Sequence, residues 1–269
     1  MKSFNYLVVL LLVSILISGF CFSQDPGGIF PLWKSLAEGK DLPDPFGFGL
    51  NFYTQNQTFD FSELTFTLKG LSIGDVNPQD LDINNQVTEK NFKVDLWVLP
   101  FVNVFGLLGE INGRTNVDYE LLDAIVGEKI RMNYKGVVYG SGVTMAGGYK
   151  SYFISLTAAF SNTKLDNSKS NLKAWVFTPK IGLAMNEWNI IKELNIWLGA
   201  MYQKTEEQHC GTINLNNSID VQYDATLQQR NAWNSIAGIH LSFSSDLYLE
   251  FERGIGNRKH TLASLIYRI

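Results

Sequence analysis

Residues 152–163 alternate without a break. Tyr152, Ile154, Leu156, Ala158 and Phe160 fall on one face, and Phe153, Ser155, Thr157, Ala159, Ser161 and Thr163 on the other, which is the two-residue period of a β-strand. Residues 136–146 repeat the pattern, with Val137, Tyr139, Val143 and Met145 opposite Gly136, Gly140, Gly142, Thr144 and Ala146. Gly147-Gly148 is the predicted turn between the two strands. One face is large and apolar, the other small or polar. A membrane-spanning barrel turns the first toward lipid and the second toward its lumen, the reverse of a soluble sandwich. Alternation alone does not say which face is inside, so the direction has to come from the rest of the chain.

The same wall recurs along the sequence. In residues 46–54, Phe46, Phe48, Leu50 and Phe52 oppose Gly47, Gly49 and Asn51; in residues 92–98, Phe92, Val94, Leu96 and Val98 oppose Lys93, Asp95 and Trp97. Pro100 ends the second of these, because proline has no N–H to give to a ladder. Residues 102–112 return. In residues 171–184, Trp175, Phe177, Ile181 and Leu183 oppose Ala174, Thr178, Lys180 and Gly182; in residues 192–203, Leu194, Ile196, Leu198 and Tyr202 oppose Glu193, Asn195 and Gly199. Residues 233–243, 247–255 and 261–269 are the last three predicted strands. The polar stretches 69–91, 113–130 and 204–231 read as long loops. Residues 58–68 are strand-like but change phase at Ser62-Glu63; as part of an outer loop they leave about ten strands, and if they and one more segment each cross the membrane the number is twelve.

Read back from the carboxy terminus, every long connection falls on one side and the tight turns fall on the other, as in barrels with short periplasmic turns and longer outer loops. The expected fold is all-β: an antiparallel transmembrane β-barrel of about ten strands, with twelve as the alternative, over residues 46–269. Residues 24–45, with a short amphipathic piece at Leu32, Trp33 and Leu36, are expected to be a periplasmic or plug segment. Residues 1–23 read as a signal peptide: Lys2, an apolar core over 6–17, and Cys21-Phe22-Ser23 before Gln24.

Composition narrows the classes. The chain of 269 residues is 45% hydrophobic and 18% charged, with a net charge of −4 and no basic cluster, so no nucleic-acid partner is expected. Beyond the leader no run approaches the roughly 18 apolar residues of a membrane helix, which argues against a helical bundle and says nothing against a barrel. Cys210 is left as the one cysteine of the exported chain, so no internal disulfide is expected.

The last strand, TLASLIYRI, carries Ala263, Leu265, Tyr267 and Ile269 at alternate positions. It resembles the carboxy-terminal assembly signal of Gram-negative outer-membrane barrels, with Ile269 where an aromatic residue is usual. The stretches DLWVLPFVNVFGLLGEING, VVYGSGVTMAGGYKSYF and VFTPKIGL resemble segments of exported bacterial barrel proteins of no established activity. This resemblance implies an outer-membrane location among outer-membrane lipids and lipopolysaccharide. It also implies docking of Leu265, Tyr267 and Ile269 on the assembly machinery, and a monomer.

The face assignment puts Lys93, Asp95, Lys180, Asn195, His240, Glu250, Glu252 and Arg268 in the lumen, with Glu110 as a further candidate. Such charges either pair with one another for structural reasons, since an isolated buried charge is costly, or line a conduit and select solutes. The many Gly, Ala and Ser lumen positions are expected to leave room for water. His209-Cys210 has no second pair at ligand spacing, so no metal and no cofactor are expected. His240 and Ser242 resemble the H-x-S arrangement of outer-membrane lipid A deacylases, with Glu250 or Glu252 available to orient the imidazole. Ile239, Leu241 and Phe243 occupy the lipid face there. The 6 Trp, 11 Tyr and 18 Phe are accounted for by interfacial girdles, which Trp175, Trp233, Tyr139, Tyr152, Tyr202 and Tyr267 fit, while Trp197 reads inward. The expected function is non-enzymatic: a narrow passive channel for small polar solutes. The alternatives are a non-conducting structural or surface-interaction barrel and, behind it, a lipid hydrolase.

Overall fold

The computed structural model describes residues 29–37, 42–68, 71–75, 82–118, 130–166, 171–188, 191–215 and 219–269. Its strands are β1 (Phe46–Leu68), β2 (Leu71–Asp75), β3 (Asp82–Leu99), β4 (Val102–Asp118), β5 (Ile130–Tyr149), β6 (Tyr152–Leu165), β7 (Asn171–Trp188), β8 (Ile191–Leu215), β9 (Ile219–Gln229), β10 (Trp233–Ser242), β11 (Leu247–Gly254) and β12 (Lys259–Arg268). All pairings are antiparallel. Ten of these strands close a ring in the order β1-β3-β4-β5-β6-β7-β8-β10-β11-β12. The seam is β1 against β12, from Gly47↔Arg268 to Asn56↔Lys259.

The barrel tapers. β1 has 23 residues and its seam partner β12 only 10. Beyond Asn56 the same edge of β1 pairs with β9, from Phe59↔Gln229 to Leu68↔Val221, and the other edge of β9 pairs with β8 from Glu207↔Leu227 onward. β9 thus stands above the short β11–β12 hairpin, and the ring passes from ten strands to eight. Barrel diameter grows roughly in proportion to strand number, so the bore narrows by about a fifth. Arg258, buried at the head of the hairpin, pins the step. Its guanidinium donates to Gln203 Oε1 and to the Ala232 carbonyl, and the Asn234 side chain brackets its backbone, accepting from Arg258 N–H and donating to its carbonyl.

One parity of every ring strand faces out. Leu50, Ile154 and Leu198 are 62%, 64% and 63% exposed, part of a belt far larger than a water-facing monomer tolerates. A lipid-facing surface requires such a belt, and closing the ring leaves no open strand edge inside it. Aromatic pairs border it, with Phe160 against Trp175 at 4.8 Å and Tyr202 against Trp233 at 5.2 Å. At the inner rim the Leu32 N–H donates to the Val98 carbonyl at 2.8 Å, Phe30 meets the outward Phe46 edge-on, and Lys34–Ala37 form a 3-10 turn.

Ring size and faces match the sequence reading; several loops do not. Residues 58–68 continue β1, and their phase change is a register shift between Phe61 and Glu63. The stretch 69–91 contains β2 and the start of β3, residues 113–118 belong to β4, and 204–231 is mostly the β8–β9 hairpin. The extensions stand beyond the apolar belt, where both faces of a strand take polar residues and the two-residue signal vanishes. Gly147 and Gly148 lie within β5. The turn is Lys150-Ser151, with Tyr149↔Tyr152 as its closing pair and Lys150 in the left-handed region at φ 55°.

Candidate functional site: the lumen

The inward faces enclose a cavity of about 530 Å³. Its floor lies at the inner end and is held by Asp95, which accepts from Arg268 Nη2 at 2.6 Å and from Asn103 Nδ2 at 2.7 Å, with Lys93 Nζ farther off at 3.8 Å. Arg268 also donates to the Asp44 carbonyl. Gly47 faces Asp95 across β1–β3 because a Cβ there would lie 2.5 Å from Asp95 Oδ2.

One side wall carries a second set of charges. Lys180 Nζ lies 2.6 Å from Glu252 Oε2 and 3.4 Å from Glu250 Oε1, over the Trp197 ring at 4.6 Å. Glu252 Oε1 is 3.3 Å from His260 Nε2, and the Tyr53 ring packs against His260. On the opposite side of the seam, Asn51 Nδ2 donates to Asn91 Oδ1, and Asn91 Nδ2 donates to Glu89 Oε1 at 2.6 Å. The remaining wall is apolar or small, with Phe105, Leu107, Phe153, Ala159 and Val176.

The ceiling coincides with the taper. Phe59, Ile83, Ile111, Val138 and Leu165 all point inward and are buried, Ile83 completely. Tyr134 Oη donates to Asn85 Oδ1, and Asn85 Nδ2 donates to Thr115 Oγ1 beside them. The narrower eight-strand bore is filled by these side chains, whereas the ten-strand bore below it is not.

Three lumen glycines leave room for aromatic rings. A Cβ on Gly142 would meet the Phe105 ring at 2.4 Å, one on Gly182 the Phe153 ring at 2.5 Å, and one on Gly238 the Trp197 indole at 2.3 Å. Each ring packs against its neighbour's bare backbone, where a side chain would collide with it. The space expected for water at these positions is therefore occupied. Gly238→Val is expected to push Trp197 into the lumen and off Lys180, destabilising the folded barrel by about 1–3 kcal/mol. Gly147→Val, where an added Cβ meets nothing within 4 Å, should leave stability nearly unchanged. Urea midpoints of the heat-modifiable gel band in lipid compare the two.

Lys93, Lys180, Asn195, His240, Glu250, Glu252 and Arg268 line the cavity, and Asp95 is buried behind Arg268 in its floor. The structure joins Asp95 with Arg268 and Lys93, and Lys180 with Glu250 and Glu252. Asn195 donates to Glu193, and His240 packs on the Tyr248 ring at 5.3 Å. Glu110 is outside. It shares the outward face of β4 with Val104 and Leu108 and pairs with the exposed Lys90, because beyond the belt the outer face itself becomes polar. Ser242 faces inward with His240, and its hydroxyl donates to the Ser244 carbonyl at 2.8 Å, so it is not presented to lipid or to the imidazole. Among the described residues no three His, Cys, Asp or Glu side chains group as a metal site. The side chains of His209 and Cys210 lie outside the described residues. Sequence reasoning missed Glu89, Tyr53, His260 and Arg258. Glu89 sat in an assumed loop and Arg258 and His260 in an assumed turn, although odd–even counting from Lys93 would have carried Glu89 inward.

No family model matches the sequence, and no curated protein matches it significantly. Solved structures similar in architecture include the β domain of the Bordetella autotransporter BrkA, at 13% identity over 84% of this chain and 100% of that one, TM-score 0.42. The Pseudomonas aeruginosa outer-membrane protein OprG matches at 8% identity over 85% and 98%, TM-score 0.41. An outer-membrane channel from Pseudomonas putida F1 matches at 9% identity over 86% and 97%, TM-score 0.35.

Proposed function

We propose that the chain is a narrow passive channel for small polar solutes in the bacterial outer membrane. The observation that carries this reading is the chamber: a ten-strand bore with polar and charged walls, capped at its outer end by the apolar layer of Phe59, Ile83, Ile111, Val138 and Leu165. Hydrophobic constrictions of this kind gate pores by excluding water. Opening requires these side chains to part, so conductance is expected to be small and intermittent. Outer-membrane lipids and lipopolysaccharide surround the belt, and Leu265 and Tyr267, both outward on the seam strand, are the side chains available to the assembly machinery, with Ile269 bonded to Phe46 at the strand's end.

The test is conductance of the mature chain folded into a planar bilayer, with heat-dependent gel mobility reporting the fold. The double substitution Phe59→Ala/Ile83→Ala is expected to raise unit conductance about twofold or more by thinning the constriction. The same packed layer favours the second reading, a non-conducting structural barrel. A folded protein that stays silent in both forms would establish that one instead. The hydrolase reading predicts acyl release abolished by Ser242→Ala, and the buried, engaged Ser242 hydroxyl speaks against it.

A further inference from the structure

Three cationic and three carboxylate side chains line the chamber: Lys93, Lys180 and Arg268 against Glu89, Glu250 and Glu252. Most are already matched. Lys180 sits between the two carboxylates of β11, and Arg268 is held by Asp95. Two are not matched in this way. Asp95 takes Arg268 and Asn103 on Oδ1 at 2.6–2.7 Å, while its Oδ2 stands 3.8 Å from Lys93 Nζ, an ion pair too long for a hydrogen bond, so the Lys93 ammonium keeps its donors open. Among the described residues Glu89 accepts one hydrogen bond, from Asn91, and meets no cation. Lys93 and Glu89 lie on the same inward face of β3, four residues apart, so their Cα atoms are separated by roughly 13 Å at strand rise.

Midway between them, Asn51 of β1 is paired with Asn91, and its Oδ1 is buried without a hydrogen-bond partner among the described residues. An acceptor left open in this way is costly unless something engages it. Leu107, paired across from Lys93, and Phe105 beside it add an apolar strip.

We infer that the chamber binds a short zwitterionic peptide of about three residues, its ammonium at Glu89 and its carboxylate at Lys93. A single amino acid carries its two charges too close together to reach both groups. A tripeptide spans the interval and brings an N–H for Asn51 Oδ1, while its small side chains lie on Phe105 and Leu107. A cavity of 530 Å³ is within the range of small-ligand sites, about 300–1,000 Å³. An inorganic ion would satisfy one of the two charges and none of the apolar strip. This inference deepens the channel reading by naming its solute, and rests on it for the peptide's passage through the chamber.

The experiment titrates trialanine into the full barrel folded in lipid vesicles and follows tryptophan emission, with bilayer conductance recorded in parallel. Trialanine should give a saturable change. N-acetyl-trialanine and trialanine amide should each bind about tenfold more weakly or worse, the cost of one charge-assisted contact. Lys93→Met should abolish the preference for a free carboxylate and leave the preference for a free ammonium. Glu89→Gln should do the converse. No saturable change in a folded barrel, equal binding of the doubly capped peptide, or variants that keep both preferences would overturn the inference. Conductance without peptide binding removes it while leaving the channel, and binding to a silent barrel sustains it and removes the channel.

Discussion

Asp95→Ala is expected to be among the most damaging single substitutions in the barrel, lowering stability by about 3–5 kcal/mol, the usual cost of removing one partner of a buried ion pair. Asp95 is the only carboxylate in contact with the floor cations Lys93 and Arg268 among the described residues. Without it two positive charges face each other in a confined bore, and Asn103 Nδ2 loses its acceptor as well. The floor also spans the β1–β12 seam, since Arg268 sits on the last strand and Asp95 on β3, with Gly47 of β1 between them. Loss of the cluster therefore weakens closure of the ring. Asp95→Asn keeps an acceptor for both donors and should cost less. Asp95→Ala combined with Arg268→Met should recover part of the loss, because it removes the orphaned charge with its partner. Urea titration of the barrel in lipid, read from the heat-modifiable gel band, measures all three. An Asp95→Ala barrel within 0.5 kcal/mol of the parent, a surface-like effect, would show that the floor is screened by water and does no structural work.

Leu198→Arg comes second, with an expected loss of about 2–4 kcal/mol, the depth-dependent cost of arginine on the lipid face of a barrel. Leu198 is 63% exposed, and its cross-strand neighbours are Ile181 and Ala237. In a water-facing barrel the same substitution would be harmless or helpful, so its sign tests the orientation of the wall. Asn112→Arg is the comparison. Asn112 is also on the outer face, beyond Glu110, level with Lys135 on the neighbouring strand, and should cost close to nothing. Equal effects at the two positions, in either direction, would sink the membrane-facing assignment.

The success and failure of the sequence reading have the same cause. Tyr152, Ile154 and Leu198 were assigned outward because lipid selects large apolar residues at every second position, and that selection is local and periodic. It also carried Lys93, Lys180 and Glu252 inward. Glu110 was misplaced because the rule lapses at the edge of the belt, where a charge on the outer face meets water. Residues 82–91 and 204–229 read as loop for the same reason, which hides Glu89 as well. Gly142, Gly182 and Gly238 were legible as small lumen positions. That they are seats for Phe105, Phe153 and Trp197 was not, since each ring comes from a neighbouring strand whose register local sequence does not print.

The sequence by itself determined the wall: which residues face lipid, which face the bore, which end carries the tight turns, and that about ten strands are joined in sequence. Only the tertiary structure decided what the wall encloses. Asp95 meets Arg268 across 173 positions, and Lys180 meets Glu250 across 70. The bore narrows because β1 outlasts β12 and takes β9 in its place. These are consequences of ring closure and register, and a two-residue period fixes the face of each residue without fixing which distant residue shares its level.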